Sequence, residues 1–465
     1  MNIQKKYNLC FQNLFKTNKI TLKKVVLMFI LCGFCSIHLS AQFKLPNVLK
    51  HTHLIQVQNI YALNSTFKET NICVSPNGQY LFFMSLRGGQ SWSIPTEMKR
   101  GQVIKYDGDI WFSQKINNQW TNAKIVQGTI NTNNGEDEPN ISPDGQTIIF
   151  QSWSGDWKNK GGPYYQSSLN GTIWGNGIGL GGGINRFFID LSNKDESDLL
   201  VLSGRKSTMG TDGATLSADG KTFIVAVGAY TGKMDLYISR KKDNIWSYPK
   251  RLPVSTLGNE RSPFLAADGK TLYFASDGYG GWGGLDIHKT VINDDDTCQE
   301  VVNIGSPFNT WQDDYGFILT ATGNEAYFVR EGDIYFANTT KANPSLKPEF
   351  STLMLTGKIM SKKNQKPTQA QIKIIDDNAE KVINEIKNNI LTGEYIVVIP
   401  ITTKNIRFEI EKLKYKKEIK EVEITSLTKG LNTINTDFYL ITEEEQAAEI
   451  DKENAASFEE EKRTK

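Results

Sequence analysis

Apolar and polar residues follow one another along this chain in short segments, either in alternation or in brief apolar runs bounded by Gly, Pro, Asn or Asp. Such segments are typical of β-strands rather than helices. The stretch EPNISPDGQTIIFQS at 138–152 is an example: two strand-like segments flank an Asp-Gly pair. Because Asp-Gly suits the tight turn of a β-hairpin, the pattern predicts hairpins and an all-β fold.

The hairpin recurs, and further strand-like segments follow each copy, for example DIWFSQKINNQW at 109–120 and DLYISRKKDNIW at 235–246. Four-stranded units repeated around an axis form a β-propeller. The copies predict a propeller of five blades over 42–345, with six blades as the alternative. The other hairpin copies are ETNICVSPNGQYLFFMS at 69–85, DGATLSADGKTFIVAV at 212–227, ERSPFLAADGKTLYFAS at 260–276 and DYGFILTATGNEAYFVR at 314–330.

The unit (D/E)-x-P-x-x-S-x-D-G-K-x-(I/L)-x-F, followed by S-x-x-x-G-G-x-G-G-x-D-I, resembles TolB-type, WD40-like propeller repeats. These occur in Bacteroidetes-type envelope proteins that also carry a carboxypeptidase-regulatory-like domain and an OmpA-like domain. The resemblance extends from residue 54 to about residue 440. It implies a periplasmic or outer-membrane-associated protein, in some cases of secretion or gliding machinery. No OmpA-like segment follows here, so the resemblance does not imply direct peptidoglycan anchoring.

Alternating segments continue beyond the propeller, in LTGKIMSKKNQKPTQAQIKIID at 355–376, TGEYIVVIP at 392–400 and FEIEKLKY at 408–415. Strands broken by Gly and Pro predict a small Ig- or prealbumin-like β-sandwich over 351–440. These segments resemble the regulatory domain of carboxypeptidases, which carries no catalytic residues. The acidic segment 441–465 is predicted to be a solvated helix or disordered.

The N-terminus predicts export. Basic residues ending at Lys24 precede the apolar run VVLMFILCGF and the small residues Ser40 and Ala41, as in a secretory signal peptide over 1–41. Leu31 before Cys32 does not suit lipid attachment. No later apolar run is long enough to span a bilayer, so no transmembrane span is expected in the mature chain.

Charge and cysteine content narrow the functional classes. The net charge of +2 comes from nearly balanced acids and bases, so nucleic acid is not an expected partner. Cys73 and Cys298 are the cysteines beyond the leader, and a buried free thiol is favoured for Cys73 over a disulfide, which stays open. No zinc motif occurs, and no cofactor or metal is expected; for the acidic run 294–296 a solvated turn is favoured over a calcium site.

One propeller face is predicted to bind a partner. Loops between second and third strands share a face with the segments that precede the innermost strands, which brings carboxylates beside aromatic and glycine-rich loops. Aromatic side chains anchor interfaces, and the glycine-rich loop 277–284 is expected to be adaptable. For the carboxylates a purely structural role is favoured over binding, and for the aromatic and glycine-rich loops both roles stay open. The candidates are Trp92, Glu138, Trp157, Asp212, Tyr230, Glu260, Arg261, Tyr279, Trp282 and Asp314.

These observations favour a non-enzymatic envelope binding or scaffold protein that recognises a protein or glycan, with an outer-membrane protein among the partners considered. One alternative is a glycan-active propeller hydrolase, which needs a carboxylate acid and base. Sialidase-type chemistry would further need an arginine cluster, whereas this face carries only Arg87 and Arg261. The other alternative is a periplasmic chaperone or assembly factor.

Overall fold

The computed structural model describes residues 45–193, 209–229, 233–401, 405–424 and 430–464. The predicted signal peptide lies outside this range. The chain from Pro46 to Lys465 forms one compact unit. No helix of the described ranges is long and apolar enough to cross a membrane.

Two short strands, β1 (Asn47–Val48) and β2 (Val57–Asn59), precede the first repeat. The first sheet then has the order β3-β4-β7-β8, and β9 also pairs with β7. Between β4 and β7 the chain forms a separate two-stranded hairpin of β5 and β6. The bounds are β3 (Glu69–Val74), β4 (Tyr80–Ser85), β5 (Pro95–Lys99), β6 (Gln102–Tyr106), β7 (Asp109–Ile116), β8 (Gln119–Trp120) and β9 (Lys124–Ile125).

The second and third sheets repeat this arrangement, and a helix, α1 (Gly182–Ser192), lies between them in the sequence. The second sheet contains β10 (Glu136–Ile141), β11 (Thr147–Ser152), β12 (Tyr164–Asn170), β13 (Ile173–Trp174) and β14 (Ile178–Gly179). The third contains β15 (Met209–Leu216), β16 (Thr222–Ala229), β17 (Met234–Lys242), β18 (Ile245–Trp246) and β19 (Lys250–Arg251).

The N-terminal strands complete the fourth and fifth sheets: β1 pairs in parallel with β23, and β2 pairs with β26. The fourth sheet contains β20 (Glu260–Leu265), β21 (Thr271–Ser276), β22 (Asp286–Val291) and β23 (Val302–Asn303). The fifth contains β24 (Asp314–Leu319), β25 (Glu325–Arg330) and β26 (Asp333–Asn338).

The five first strands form a ring. Along the series β3, β10, β15, β20 and β24 each strand contacts the next, and β24 contacts β3. Each sheet is therefore a blade, and hydrophobic clusters fill the space between neighbouring blades, as with Phe82 and Phe150 between the first two. The predicted all-β propeller class is confirmed.

Every innermost strand bends at the same repeat position. Its pairing with the second strand shifts register there, and the residue at the shift has positive φ. Glycine adopts such a conformation freely, whereas for other residue types it costs about 1–3 kcal/mol. The bulges are therefore a shared feature that shapes the inside of the ring. They lie at Asn71 (φ 47°), Glu138 (54°), Gly213 (101°), Ser262 (46°) and Gly316 (62°).

The C-terminal region is a β-sandwich. One sheet has the order β30-β27-β33 with β34 also on β27, and the other has β29-β28-β31-β32. Side chains of both sheets, including Leu355 and Phe408, share one core. The bounds are β27 (Thr352–Ser361), β28 (Gln371–Asp376), β29 (Lys381–Lys387), β30 (Glu394–Pro400), β31 (Asn405–Glu411), β32 (Glu418–Glu423), β33 (Leu431–Asn435) and β34 (Phe438–Leu440).

The acidic segment after the sandwich is helical, as α2 (Glu443–Thr464). A capping box begins it: Glu445 N–H donates to Thr442 Oγ1 at 3.1 Å, and Thr442 N–H donates to Glu445 Oε2 at 2.9 Å. Lys362 forms an ion pair with Glu449 at 3.1 Å, which holds the first turns of α2 to the sandwich.

The connection between propeller and sandwich is anchored. A 3₁₀ turn, Pro344–Leu346, buries Leu346. Lys289 Nζ donates to the carbonyl oxygens of Ser345 and Lys347 at 2.7 and 2.6 Å. Phe350 N–H donates at 3.2 Å to Oδ2 of Asp268, the aspartate of the Asp-Gly turn of the fourth blade. These contacts fix the start of the sandwich on the face that carries the Asp-Gly turns.

Candidate functional site

The two faces of the propeller differ in what covers them. We call the face with the Asp-Gly turns the turn face and the opposite one the open face. On the turn face, Lys221 Nζ donates to Ile383 O of the sandwich at 3.3 Å. The open face carries the loops between blades and the loops between second and third strands, because successive strands of a blade alternate in direction. The predicted site residues within the described ranges belong to the open face.

The acidic residue that begins four of the innermost strands is buried and bonded inside the propeller. In the fourth blade, Thr256 N–H and Oγ1 donate to the Glu260 carboxylate at 2.9 and 2.6 Å, and Ser276 Oγ donates at 3.0 Å. Each carboxylate thus holds the loop between blades to its own blade. The same pattern joins Ser65 to Glu69, Thr132 to Glu136 and Thr310 to Asp314.

This arrangement corrects the interpretation of two predicted site residues. Glu260 and Asp314 are fully buried, and Asp314 also accepts from Arg330 Nε at 2.6 Å. A partner on the open face cannot reach these carboxylates without unfolding the loop. The structural alternative therefore applies to Glu260 and Asp314.

Glu138 has a structural role as well. It is 2% exposed at the bulge of the second blade, where Tyr164 OH donates to Oε2 and Gly213 N–H of the third blade donates to Oε1 at 3.0 Å. Burial and the neighbouring Asp137 carboxylate raise the pKa of Glu138. Glu138 therefore links two blades and does not point toward solvent.

Asp212 and Arg261 form an ion pair with an N–O distance of 2.6 Å across the third and fourth blades. Both side chains are partly exposed. Between the first and second blades, Asn71 Nδ2 donates to Asp137 Oδ1 at 2.8 Å. These bonds tie neighbouring innermost strands together where the channel opens on this face.

The channel itself is narrow. Two cavities lie along it, of about 20 Å³ at the bulge residues and about 70 Å³ nearer the turn face. The larger one is lined mainly by apolar side chains such as Ile72, Phe264 and Leu319. Ligand pockets usually hold about 300–1,000 Å³, so the channel as it stands has no room for a sugar ring.

The glycine-rich loop that precedes β22 is closely packed rather than adaptable. A Cβ at Gly283 would lie 2.1 Å from Gln312 O in the next inter-blade loop, and one at Gly281 would lie 1.5 Å from Asp286 Oδ2. Trp282 N–H donates to the same Asp286 oxygen at 2.8 Å. These glycines are required because the backbone passes so close to its neighbours, which corrects the expectation of an adaptable loop.

Three of the predicted aromatic residues take part in internal packing. Trp92 Nε1 donates to the buried Asp109 at 2.8 Å. Trp157 packs edge-to-face on Trp153 with 5.3 Å between ring centroids. Tyr279 OH donates to Val254 O at 2.6 Å, and its ring lies against Phe274. Tyr230, another candidate, lies outside the described residues.

Trp282 is the predicted aromatic that faces solvent, with 60% of its surface exposed. Trp311 and Leu257, which the sequence analysis did not select, are 80% and 85% exposed. Both follow the threonine of a Thr-x-x-x-Glu/Asp segment, so each sits at the tip of a loop whose ends are fixed by a buried carboxylate. That repeated spacing is the sequence signal that could have identified them.

Trp282 lies between these two loops. On one side, Asn259 N–H donates to Asp277 Oδ1 at 2.6 Å. On the other, Leu285 N–H donates to Asp313 Oδ1 at 2.9 Å. We call the exposed set Leu257, Trp282 and Trp311 the open-face patch. Its three side chains project from adjacent loops with fixed backbones.

The remaining candidates for chemistry are accounted for. Cys73 and Cys298 are free thiols, and Cys73 Sγ accepts from Ile141 N–H of the next blade at 3.4 Å. In the acidic turn, Asp296 forms an ion pair with Arg240 at 2.8 Å and Asp294 with Lys270 at 3.0 Å. No group of three or more metal-ligating side chains occurs within the described ranges.

The chain matches no protein-family model and no curated protein. Among solved structures it is similar to a putative TolB from Agrobacterium tumefaciens, at 14% identity and a TM-score of 0.33, over 75% of this chain and 98% of that one. It is also similar to TolB from Acinetobacter baumannii, at 13% identity and a TM-score of 0.30, over 61% of this chain. The chain spans 57% of the length of that TolB.

A periplasmic gluconolactonase from Pseudomonas aeruginosa is similar to the same degree, at 10% identity and a TM-score of 0.32, over 76% of this chain and 88% of that one. Enzymes and TolB proteins thus match at comparable, low TM-scores. These similarities carry no argument about activity, and the fold assignment rests on the sheets themselves.

Proposed function

We propose that this protein is a non-enzymatic binding protein of the cell envelope whose open propeller face recognises a protein partner. The observation that carries the proposal is the open-face patch, in which Trp282 and Trp311 are 60% and 80% exposed. Exposed tryptophans on neighbouring loops are unfavourable in water and typical of binding hot spots. The predicted signal peptide supports a periplasmic or outer-membrane-associated location.

The fixed backbones of the patch favour tight binding. Gly283 lies against the loop of Trp311, and Trp282 N–H is bonded to Asp286. A loop already ordered in the free protein loses little conformational entropy when a partner binds. The patch is therefore suited to a stable complex, which favours a scaffold over a chaperone that adapts to many clients.

The enzyme alternative has weaker support. The channel cavities are about 20 and 70 Å³, and Glu260 and Asp314 are engaged in internal hydrogen bonds. An acid and base pair for glycoside hydrolysis needs carboxyl groups that flank a bound sugar. A screen of glycosides and sugar lactones provides the comparison: turnover that is lost in Glu138→Gln would favour the enzyme over our proposal.

Co-purification from detergent-solubilised envelopes tests the proposal. The bait proteins are the wild type, Trp282→Ala and Trp311→Ala, with Leu413→Ala as the control because Leu413 is 87% exposed on the sandwich. We expect a stoichiometric protein partner with the wild type and the control. Each tryptophan variant should lose roughly 2 kcal/mol or more of binding free energy if it is a hot spot.

Three results would argue against this function. Equal recovery of the partner by all four baits would show that the patch is not the binding site. A heterogeneous set of exported proteins would favour the chaperone alternative, and retention on immobilised glycan without any protein would favour a glycan ligand. Thermal unfolding of each bait shows whether a loss of binding reflects a loss of folded protein.

A further inference from the structure

A second cleft lies on the turn face, between the propeller and the sandwich. It has a volume of about 800 Å³ and is lined by turns of the second and third blades and by β28, β29 and β30. This volume is within the range of about 300–1,000 Å³ that ligand pockets occupy. The open-face patch is on the opposite face, so the cleft is independent of the function proposed above.

One wall of the cleft is the edge of a sheet. Strand β29 is the terminal strand in the order β29-β28-β31-β32, so one of its edges has no strand partner among the described residues. Glu385 is paired with Lys373 of β28, but its N–H donates to Asn384 Oδ1 at 2.8 Å. In antiparallel sheets a residue turns both main-chain groups toward its partner strand or both away. Glu385 therefore turns them away from β28.

The alternation continues along β29. Lys387, paired with Gln371, has the same parity as Glu385, so its N–H and C=O also point outward. Both residues line the cleft. Across it, Lys221 Nζ of the propeller donates to Ile383 O at 3.3 Å. A propeller side chain thus already bonds to the main chain of this edge, and the Glu385 N–H is bonded to Asn384 Oδ1. The outward groups that the edge offers to a ligand are the C=O of Glu385 and the N–H and C=O of Lys387.

The other lining residues are rich in amide side chains. Gln146 and Gln166 come from the second blade and Gln371 from the sandwich. The side chains of Gln166 and Gln371 make no hydrogen bond within the described part of the chain. A primary amide both donates and accepts, which matches the alternating N–H and C=O groups of a peptide.

We propose that this cleft binds an extended peptide segment as an added strand on β29. Main-chain hydrogen bonds to the C=O of Glu385 and to the N–H and C=O of Lys387 would hold the peptide. The propeller amides Gln146 and Gln166 would bind its other edge, as in β-augmentation. The seven residues of β29 offer an edge of about 23 Å at the usual rise per residue. A sugar ligand is less well matched, because Trp246 is the aromatic residue of the lining and is only 3% exposed.

The test begins with the full mature protein and a phage-displayed library of random ten-residue peptides. An enriched peptide is synthesised, and its affinity is measured by fluorescence anisotropy. It is then resynthesised with a single N-methyl group at each position in turn. We expect N-methylation to weaken binding by about tenfold at two residues that lie two positions apart, because their N–H groups bond to the carbonyl oxygens of Glu385 and Lys387. The effect should be smaller at the residues beside them, whose N–H groups face side-chain amides.

Protein variants locate the peptide. The double variant Gln146→Ala with Gln166→Ala should weaken binding by about tenfold, since it removes two hydrogen-bonding side chains of the propeller wall that face the added strand. Leu413→Ala is the control and should bind as the wild type does, because Leu413 is 87% exposed and does not line the cleft. The N-methyl series needs only the wild type, so it remains decisive if the double variant folds poorly.

Several outcomes would overturn the proposal. These are the absence of any enriched peptide, N-methyl effects without alternation, and equal affinity of the double variant and the wild type. Binding of neutral oligosaccharides that is lost in the double variant would assign the cleft to glycans instead.

Discussion

Burial and hydrogen bonding shift the pKa of the Glu136 carboxyl in opposite directions. Donors from Thr132 and Ser152 favour its charged form, but burial has the larger effect and raises its pKa from 4.5 to about 7. Burial also raises the pKa of Asp109 to about 6. The propeller thus contains carboxyl groups that bind protons more tightly when the protein is folded.

This difference predicts how stability depends on pH. A carboxyl with a raised pKa in the folded state binds more protons there than in the unfolded state, so stability falls as pH rises from about 4.5 to about 7. We expect the urea midpoint to be lower at pH 8 than at pH 5, and the difference to shrink in Glu136→Gln. The control is Glu421→Gln in β32. Glu421 is exposed, so this variant shows the effect of losing one negative charge without a change in the interior.

Urea denaturation followed by tryptophan fluorescence at the two pH values makes this comparison. An unchanged pH difference in Glu136→Gln would show that Glu136 does not titrate in this range. Asp109 should leave part of the difference in place, since its pKa is raised by the same cause.

Among the elements, the hairpins were predictable from sequence because their signals are local. The Asp-Gly turn at Gly145 and the strands β10 and β11 around it lie within one short segment. The open-face patch depends on contacts between distant segments, such as Gly283 against Gln312. Helix α1 and the hairpin of β5 and β6 are insertions into the repeat, and the repeat pattern carries no signal for them.

The sequence favours a structural role for Glu260 and Asp314, but it does not show which groups satisfy their carboxylates. An acidic residue before a strand is usually exposed, and here a threonine four positions earlier satisfies it instead. The same loop geometry buries Asp314 and exposes Trp311, and the local sequence pattern indicates neither outcome. Fold class was thus accessible from local pattern, but side-chain exposure on the open face was not.

The close packing of the glycine-rich loop predicts a stability effect. Ala in place of Gly283 would put a Cβ 2.1 Å from Gln312 O, and such overpacking usually costs about 1–3 kcal/mol. Gly155, in the corresponding loop of the second blade, has no atom within 4 Å of its Cβ position. We expect Gly283→Ala to lower the free energy of unfolding by that amount, and Gly155→Ala to change it by less than about 0.5 kcal/mol.

Urea denaturation of both variants measures the difference. Equal stability of the two variants would mean that the loop before β22 can shift to accommodate the added Cβ atom at little energetic cost. The patch would then be adaptable after all, and the argument for a pre-ordered binding surface would fail.

For the whole molecule, the N-terminal segment closes the ring. Strand β2 is the outer strand of the last blade through its pairing with β26. His51 Nε2–H donates to Ile304 O at 3.0 Å, and its Nδ1 accepts from Asn343 N–H at 3.1 Å. The first described segment of the chain therefore joins the last two blades and the connection to the sandwich.

Deletion experiments compare the two ends of the chain. Removal of residues 42–59 takes away β1, β2 and His51, and it should lower the unfolding temperature by roughly 5 °C or more, since each kcal/mol shifts it by about 2–4 °C in a large domain. Removal of 443–465 takes away α2 and its surface ion pairs with Lys362 and Lys363, and should have little effect. Equal effects in calorimetry would contradict a closing role for β2.

The organisation into two faces makes the central claim directly measurable. The sandwich lies on the turn face through Lys221 and the anchored connection, whereas Leu257, Trp282 and Trp311 project from the open face. A partner of the propeller should therefore contact the open face.

Site-specific photo-crosslinking in cells that produce the full chain tests this claim most directly. A photoreactive amino acid is placed at 257, 282 or 311 on the open face, or at Leu413 on the sandwich, which is 87% exposed. The account predicts one discrete crosslinked protein from the three open-face positions and none of that species from position 413. The same species from position 413, or no species from any open-face position, would contradict it.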